Sequence, residues 1–207
     1  MIVTNISEIS KAKCRIYLDE EFAFVLYKGE LRLYHIQVGQ EMPSEVYEEI
    51  IHTVLTKRAK KRCLMLLQKK DYTEEELRRK LRQGEYPGPV IDTALEYVKG
   101  YHYIDDYRYC LSYIGCYGNK CSRQQISAKL LAKGVAKECI TKAFEEASDK
   151  GDISTEEELI RAVLLKKKYH AEESDTKTRQ KMYRHLLYKG FSATSISKVL
   201  GEFTEQY

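Results

Sequence analysis

Residues 122–147 read SRQQISAKLLAKGVAKECITKAFEEA, and the string KLLAKG at 129–134 returns as HLLYKG at 185–190. Ser122, with Gln125 three residues on, is the signature of a capping box, in which side chains satisfy free N–H groups of a helix's first turn. Ile126, Leu130 and Leu131 then fall at helical spacing, and Gly134 supplies the stop. A following helix runs through Cys139, Ile140, Ala143 and Phe144. Two helices this short cannot bury their apolar faces alone, so the stretch predicts a module that packs with further helices.

The same grammar extends in both directions. Upstream, Thr73 and Glu76 form a box before Leu77 and Leu81, with a stop at Gly84. Pro89 then opens a helix whose stripe is Val90, Ile91, Ala94, Leu95 and Val98, ending at Gly100. Asp105-Asp106 caps a helix carrying Tyr109, Cys110, Tyr113, Ile114 and Tyr117 on one side. Downstream, Thr155 and Glu158 precede Leu159, Val163 and Leu164. Met182, Leu186 and Leu187 lead to Gly190, and Ser192 precedes Ile196, Val199, Leu200 and Phe203. Lys80-Leu81 lies over Lys129-Leu130 at an offset of 49, and KLLAKG lies over HLLYKG at an offset of 56, although Gly84 and Gly134 disagree by one position. A degenerate repeat near 50 residues with three helices per unit predicts tandem modules in an extended curved array with a long concave surface. Their expected limits are 44–104 with a lead-in helix, 105–150 and 151–207.

Residues 1–43 read differently. Cys14, Ile16 and Leu18, then Phe22, Phe24 and Leu26, then Leu31, Leu33 and His35 alternate with period two. Together with turns at Asp19-Glu20-Glu21 and Tyr27-Lys28-Gly29-Glu30, they predict a small antiparallel β meander ending before Pro43. A sheet this small is marginal in water, so it is expected to pack on the first helices. Gly and Pro together make 14 of 207 residues, too few turn formers for a many-stranded barrel, so the chain as a whole is expected to be mainly α. Its longest apolar run, Phe22 to Tyr27, is far short of the ~18 residues of a membrane span, and the first residues lack a secretory layout. A soluble, cytoplasmic monomer without membrane contact is expected. The six cysteines contain no CxxC and are read as reduced, mostly buried thiols rather than as a metal site.

Charge is distributed unevenly. Residues 1–56 hold five basic and nine acidic side chains, whereas residues 57–82 hold eleven and four. Such a strip fits a polyanionic partner. Lys57, Arg58, Lys61 and Arg62 pair at i, i+4, and Arg78, Arg79 and Arg82 cluster on the next helix; Lys120, Arg123, Lys129 and Lys133 form a thinner second group. Lys166, Lys167 and Lys168 form a third. Among the tyrosines of 97–117, Tyr109, Tyr113 and Tyr117 are expected in the core, and Tyr101, Tyr103 and Tyr107 on the surface as stacking platforms for single-stranded DNA. Asp105-Asp106 is explained by capping, and the histidines at 35, 52, 102, 170 and 185 have neither metal-ligand spacing nor a nucleophile partner. Phosphate-cradling glycine loops are absent, so no nucleotide and no other cofactor is expected.

Gly100-Tyr101-His102-Tyr103-Ile104-Asp105-Asp106, followed by Tyr109-Cys110 and Tyr113-Ile114, resembles the core motif of the bacterial RecX family, regulators of the RecA recombinase. Thr73–Leu81 and Arg123–Val135 are similar to the family's helix segments, and the resemblance covers about 57–204. Cys121 and Ser122 stand where the family often has a glycine and a basic residue, and Cys110 replaces its usual alanine. The resemblance implies a non-enzymatic modulator. Such proteins bind along the groove of the RecA–DNA filament and bridge protomers, and most suppress ATP turnover, filament extension and strand exchange. The alternative is a stand-alone DNA-binding module acting through the 57–82 strip. No constellation supports an enzyme.

Overall fold

The computed structural model describes residues 1–169 and 175–205, with side chains through Glu202. Those of Phe203 and His170, singled out above, lie outside the described residues. The chain divides into two compact units, Met1–Asp105 and Asp106–Tyr207.

The first unit begins with a three-stranded antiparallel sheet of β1 (Val3–Glu8), β2 (Lys13–Leu18) and β3 (Glu21–Tyr27), in that order. The Asp19-Glu20 turn joins Leu18 to Glu21, its two residues both at positive φ, as a tight hairpin loop requires. Cys14, Ile16, Leu18, Phe24 and Leu26 are buried, and Ile16 pairs with Phe24 across the ladder.

The sheet departs from the expected meander at both ends. Its first strand is Val3–Glu8, a polar stretch with little alternation. Leu31, Leu33 and His35, expected as a strand, instead belong to helix α1 (Lys28–Leu33) and its C-terminal cap. Glu30 reverses that reading, because its carboxylate accepts the Tyr27 N–H at 2.8 Å and nucleates a helical turn.

Helix α2 (Ser44–Glu49) continues through a π-helical turn at Ile50–Leu55 into α3 (Thr56–Leu67). The buried Thr56 hydroxyl donates to the Ile51 carbonyl at 2.9 Å, giving that carbonyl a second donor beside the Thr56 N–H of the wide turn. Helices α4 (Glu74–Gln83) and α5 (Gly88–Gly100) complete the unit. Strand residues Ile16 and Phe24 share one core with Ile50, Leu55, Ala59, Leu77, Leu81 and Leu95, so the sheet does pack on the first helices.

The second unit contains two further helical triplets. Helices α6 (Asp106–Tyr117), α7 (Arg123–Ala132) and α8 (Lys137–Asp149) surround Cys110, Ile114, Ile126, Leu130, Ile140 and Phe144. Helices α9 (Glu156–Lys166), α10 (Thr176–Tyr188) and α11 (Ala193–Glu205) surround Ile160, Leu164, Leu186, Phe191, Ile196 and Val199.

Local chemistry explains the helix starts. Thr73 with Glu76 and Thr155 with Glu158 close the expected capping boxes. Ser122 accepts the Gln125 N–H at 3.3 Å, and its hydroxyl also donates to the Lys189 carbonyl at 2.6 Å, tying the α7 start to the end of α10.

Helix ends repeat one device. At His35, Glu85, His102, Gly134, Gly151, Lys168 and Gly190 the backbone turns to positive φ. Each of these N–H groups bonds the carbonyl three residues back, and the next N–H bonds the carbonyl five back. This corrects two expected stops. Gly84 has φ −85° and Gly100 is the last residue of α5, whereas the left-handed positions belong to Glu85 and His102. Glu85 lies 49 residues before Gly134, so the one-residue disagreement between the repeats disappears. Gly84 has a different reason to be small: a Cβ there would stand 2.9 Å from the Tyr86 ring.

Candidate interaction surfaces

The expected cationic strip divides when α3 folds. Arg58 turns inward, donating to the Val25 carbonyl at 3.2 Å and to the Glu30 carboxylate, with its guanidinium 4.6 Å from the centre of the Tyr27 ring. It clamps α3 to β3 and α1. Arg62 lies on the same side, near Tyr86, whose hydroxyl pKa is raised by burial and held back by the charges of Arg58 and Arg62. Lys57 and Lys61, each one residue and so about 100° round the helix from those arginines, are exposed. They line an open groove with His52, Thr53, Lys60, Leu64 and Tyr97. Among the described residues, Lys57, Lys61 and Arg62 have no carboxylate partner within ion-pair distance.

Beside those lysines runs an aromatic row. The Lys60 ammonium lies 4.6 Å over Tyr97, Tyr97 is 4.9 Å from Tyr101, and Tyr101 stacks on Tyr103 at 5.9 Å with a 20° interplanar angle. Tyr101 and Tyr103 remain 60% and 50% exposed. The fold therefore joins Lys57, Lys61, Tyr101 and Tyr103 into one surface and adds Lys60 and Tyr97. Signals for both additions were in the sequence: Lys60 follows Lys57 by three residues and Tyr97 precedes Tyr101 by four, so each pair shares a helix face.

Arg78 and Arg82 of α4 are placed against carboxylates. Arg78 bonds Asp92 of α5 and lies 3.4 Å from Glu74, while Arg82 reaches Glu75 at 3.4 Å. Arg79 donates from Nε to the Glu75 carbonyl at 3.4 Å. Lys99 closes on Glu74 at 2.7 Å, and this bond is the main reason the Glu74 pKa is lowered; Asp92 chiefly raises that of Arg78. A charge count along residues 57–82 cannot see Asp92, because it arrives from the next helix.

In the second unit, Arg123 stacks over Phe144 at 4.8 Å, and Lys120 is exposed in the α6–α7 turn. Tyr107, expected as a free surface ring, packs beside the core and donates its hydroxyl to Glu146, which pushes its pKa up to about 12. The expectation that Tyr109, Tyr113 and Tyr117 form core holds in part: Tyr109 and Tyr113 pack against the core from its edge, and Tyr117 does not. Cys110 and Ile114 are the buried residues, whereas Tyr109 and Tyr113 are half-buried and Tyr117 is 40% exposed. Each of the first two rings precedes a buried position by one residue, about 100° round the helix. They flank the core rather than fill it. Lys129 lies 5.8 Å over Tyr117 and Lys133 lies 5.5 Å over Tyr109.

A compact reactive constellation is not what these residues form. Cys14, Cys63 and Cys110 are buried and Cys116 is exposed, with Cys121 and Cys139 between. Burial drives the Cys63 thiol up to about 11 and the Cys110 thiol up to about 12, the latter aided by Cys139. Asp106 opens α6 as expected, and His52 pairs with Glu48 at 2.8 Å. Among the described residues, no group of three His, Cys, Asp or Glu could hold a metal ion, and no helix is long and apolar enough to cross a membrane.

Fold and surfaces together define a mainly helical protein of three-helix domains behind a small sheet, bearing cations interleaved with tyrosines. Residues 59–97 match the family description "RecX, first three-helix domain", and residues 155–200 match "RecX, third three-helix domain". The "Regulatory protein RecX" of Caldanaerobacter subterraneus subsp. tengcongensis is 30% identical over 202 residues, covering 97% of this chain and 98% of its own. That of Clostridium acetobutylicum is 29% identical over 205 residues, covering 97% and 95%. The chain belongs to the RecX family. Two solved structures share its fold. One, titled "Crystal structure of regulatory protein RecX", has a TM-score of 0.63 at 24% identity and covers 96% of this chain and 98% of its own. RecX from Lactobacillus salivarius has a TM-score of 0.60 at 21% identity, covering 73% and 97%.

Proposed function

We propose that this chain is a non-enzymatic regulator that binds the RecA–DNA filament in the cytoplasm and restrains its ATP hydrolysis, extension and strand exchange in recombination and repair. The observation that carries this reading is alignment over nearly the whole chain with relatives named as regulatory proteins. The surfaces support it: the exposed lysines and tyrosines lie on open helix faces, suited to lying along another macromolecule. The working parts are the N-terminal segment 1–43, which carries the sheet and α1, and the modules at 44–104, 105–150 and 151–207. The alternative, a stand-alone DNA binder using the whole 57–82 strip, is weakened where Arg58, Arg78 and Arg82 are held by Glu30, Asp92 and Glu75.

Purified chain titrated into RecA, single-stranded DNA and ATP tests the proposal. ATP turnover falls as the chain approaches the RecA concentration. Unchanged turnover and unchanged strand exchange at stoichiometric excess refute it.

A further inference from the structure

The longest stretch of this chain without Asp or Glu runs from Tyr107 to Lys137. It holds six cations, Arg108, Lys120, Arg123, Lys129, Lys133 and Lys137, in a protein where one residue in seven is acidic. Folding makes α6 and α7 from that stretch and adds a second, independent feature. Tyr109 stacks on Tyr113 at 6.2 Å with an 18° interplanar angle, and Tyr113 meets Tyr117 at 4.6 Å. The three rings form a continuous ladder along α6, with Lys133 at the Tyr109 end and Lys129 at the Tyr117 end. On the neighbouring helix α8, Glu146 is bonded to Tyr107 and Lys150. The ladder hydroxyls have no hydrogen-bond partner among the described residues, so they impose no fixed polar geometry on a ligand.

We propose that this α6–α7 face binds single-stranded nucleic acid, stacking unpaired bases on the Tyr109–Tyr113–Tyr117 ladder while Lys129 and Lys133 meet the phosphates. An acidic protein segment would satisfy the lysines alone. Unpaired bases also use the rings, whereas in a duplex their faces are already stacked on one another. The site deepens the regulator reading by placing the filament's single strand on the second unit, and it rests on that reading only for the identity of the polymer in the cell. Sequence patterning concealed it because i, i+4 tyrosines look like core and the acid-free run sits in a nearly neutral half of the chain.

The test omits RecA. Anisotropy of a labelled dT 20-mer is compared with that of an abasic 20-mer of equal charge, using the full chain. The wild-type chain binds dT at least about ten-fold more tightly than the abasic strand, as stacking of several bases requires. Tyr117→Leu lowers dT affinity about five-fold or more and leaves abasic affinity unchanged. Lys129→Gln weakens both strands and reduces the salt slope by about one. Both substitutions are at exposed positions, and circular dichroism checks that each variant keeps its fold.

Equal affinity for dT and abasic strands, no binding of dT, or unchanged dT affinity in Tyr117→Leu each overturns the proposal. So does a poly-glutamate of equal charge that binds as tightly as dT. A chain that binds dT as expected yet leaves RecA turnover unchanged supports this site and refutes the regulator reading. The reverse outcome refutes the site alone.

Discussion

Arg58 and Lys57 are adjacent cations on α3, and replacing each with leucine separates a fold residue from a surface residue. Arg58→Leu keeps much of the side-chain stem and deletes the guanidinium. It leaves the Val25 carbonyl without its 3.2 Å donor, leaves Glu30 only the Tyr27 N–H at 2.8 Å, and removes the cation over the Tyr27 ring. A hydrogen bond to a charged group contributes about 1.5–3 kcal/mol when sheltered. The pair is about one-fifth exposed, 21% and 23%, so water recovers part of each loss. The combined cost is therefore about 2–3 kcal/mol rather than the sum of three separate contacts. Urea unfolding followed by circular dichroism measures it. With a slope of about 2 kcal/mol/M, the transition of the first unit moves down by roughly 1 M. Lys57→Leu changes stability by no more than about 0.5 kcal/mol, as expected for an exposed side chain without a partner. Equal shifts in the two variants would refute the clamp. If the clamp holds, weaker partner binding by an Arg58 variant reports damage to the first unit rather than a lost contact.

Three further outcomes follow from single residues. Burial lowers the His185 pKa below its ordinary 6.5, helped by Lys167 and Lys189, and its buried Nε2 has no hydrogen-bond partner. The unfolded chain thus takes up that proton first, so stability is full above pH 6.5 and declines as pH falls below it; His185→Leu should flatten that decline in melts between pH 7.5 and 5.5. His102 sits at φ 56°, a position costing a side-chain-bearing residue about 1–2 kcal/mol, so His102→Gly should raise stability by roughly 1 kcal/mol after its larger unfolded-state entropy is counted. No gain in denaturant midpoint would contradict this. At Gly118 a Cβ would stand 2.3 Å from Ile153 Cγ2, so Gly118→Ala should cost about 1–3 kcal/mol, and adding Ile153→Ala should recover part of the loss, as a double-mutant cycle would show.

Periodicity and capping chemistry act within a few residues of one another, so much of the helical plan was legible before folding. Thr73, Ser122 and Thr155 open helices as read, because a hydroxyl three residues before an N–H needs no distant partner. The core stripes at Leu77 and Leu81, Ile126 and Leu130, and Ile140 and Phe144 follow from helical spacing in the same way. Leu31, Leu33 and His35 were misread because alternation over five residues is compatible with a short helix, and the Tyr27–Glu30 bond decided between the two.

The surfaces depended on residues far apart in sequence. Arg58 finds Glu30 twenty-eight residues earlier, Arg78 finds Asp92 fourteen later and Tyr107 finds Glu146 thirty-nine later. Lys57 and Arg58 part company because one residue along a helix is about a 100° turn. The amino-acid order by itself determined where helices begin, how often the module recurs and which side of each helix is apolar, since local bonds and spacing dictate these. Only packing decided which cations face solvent and which tyrosines flank the core, because charge neutralisation and burial depend on what another helix brings alongside.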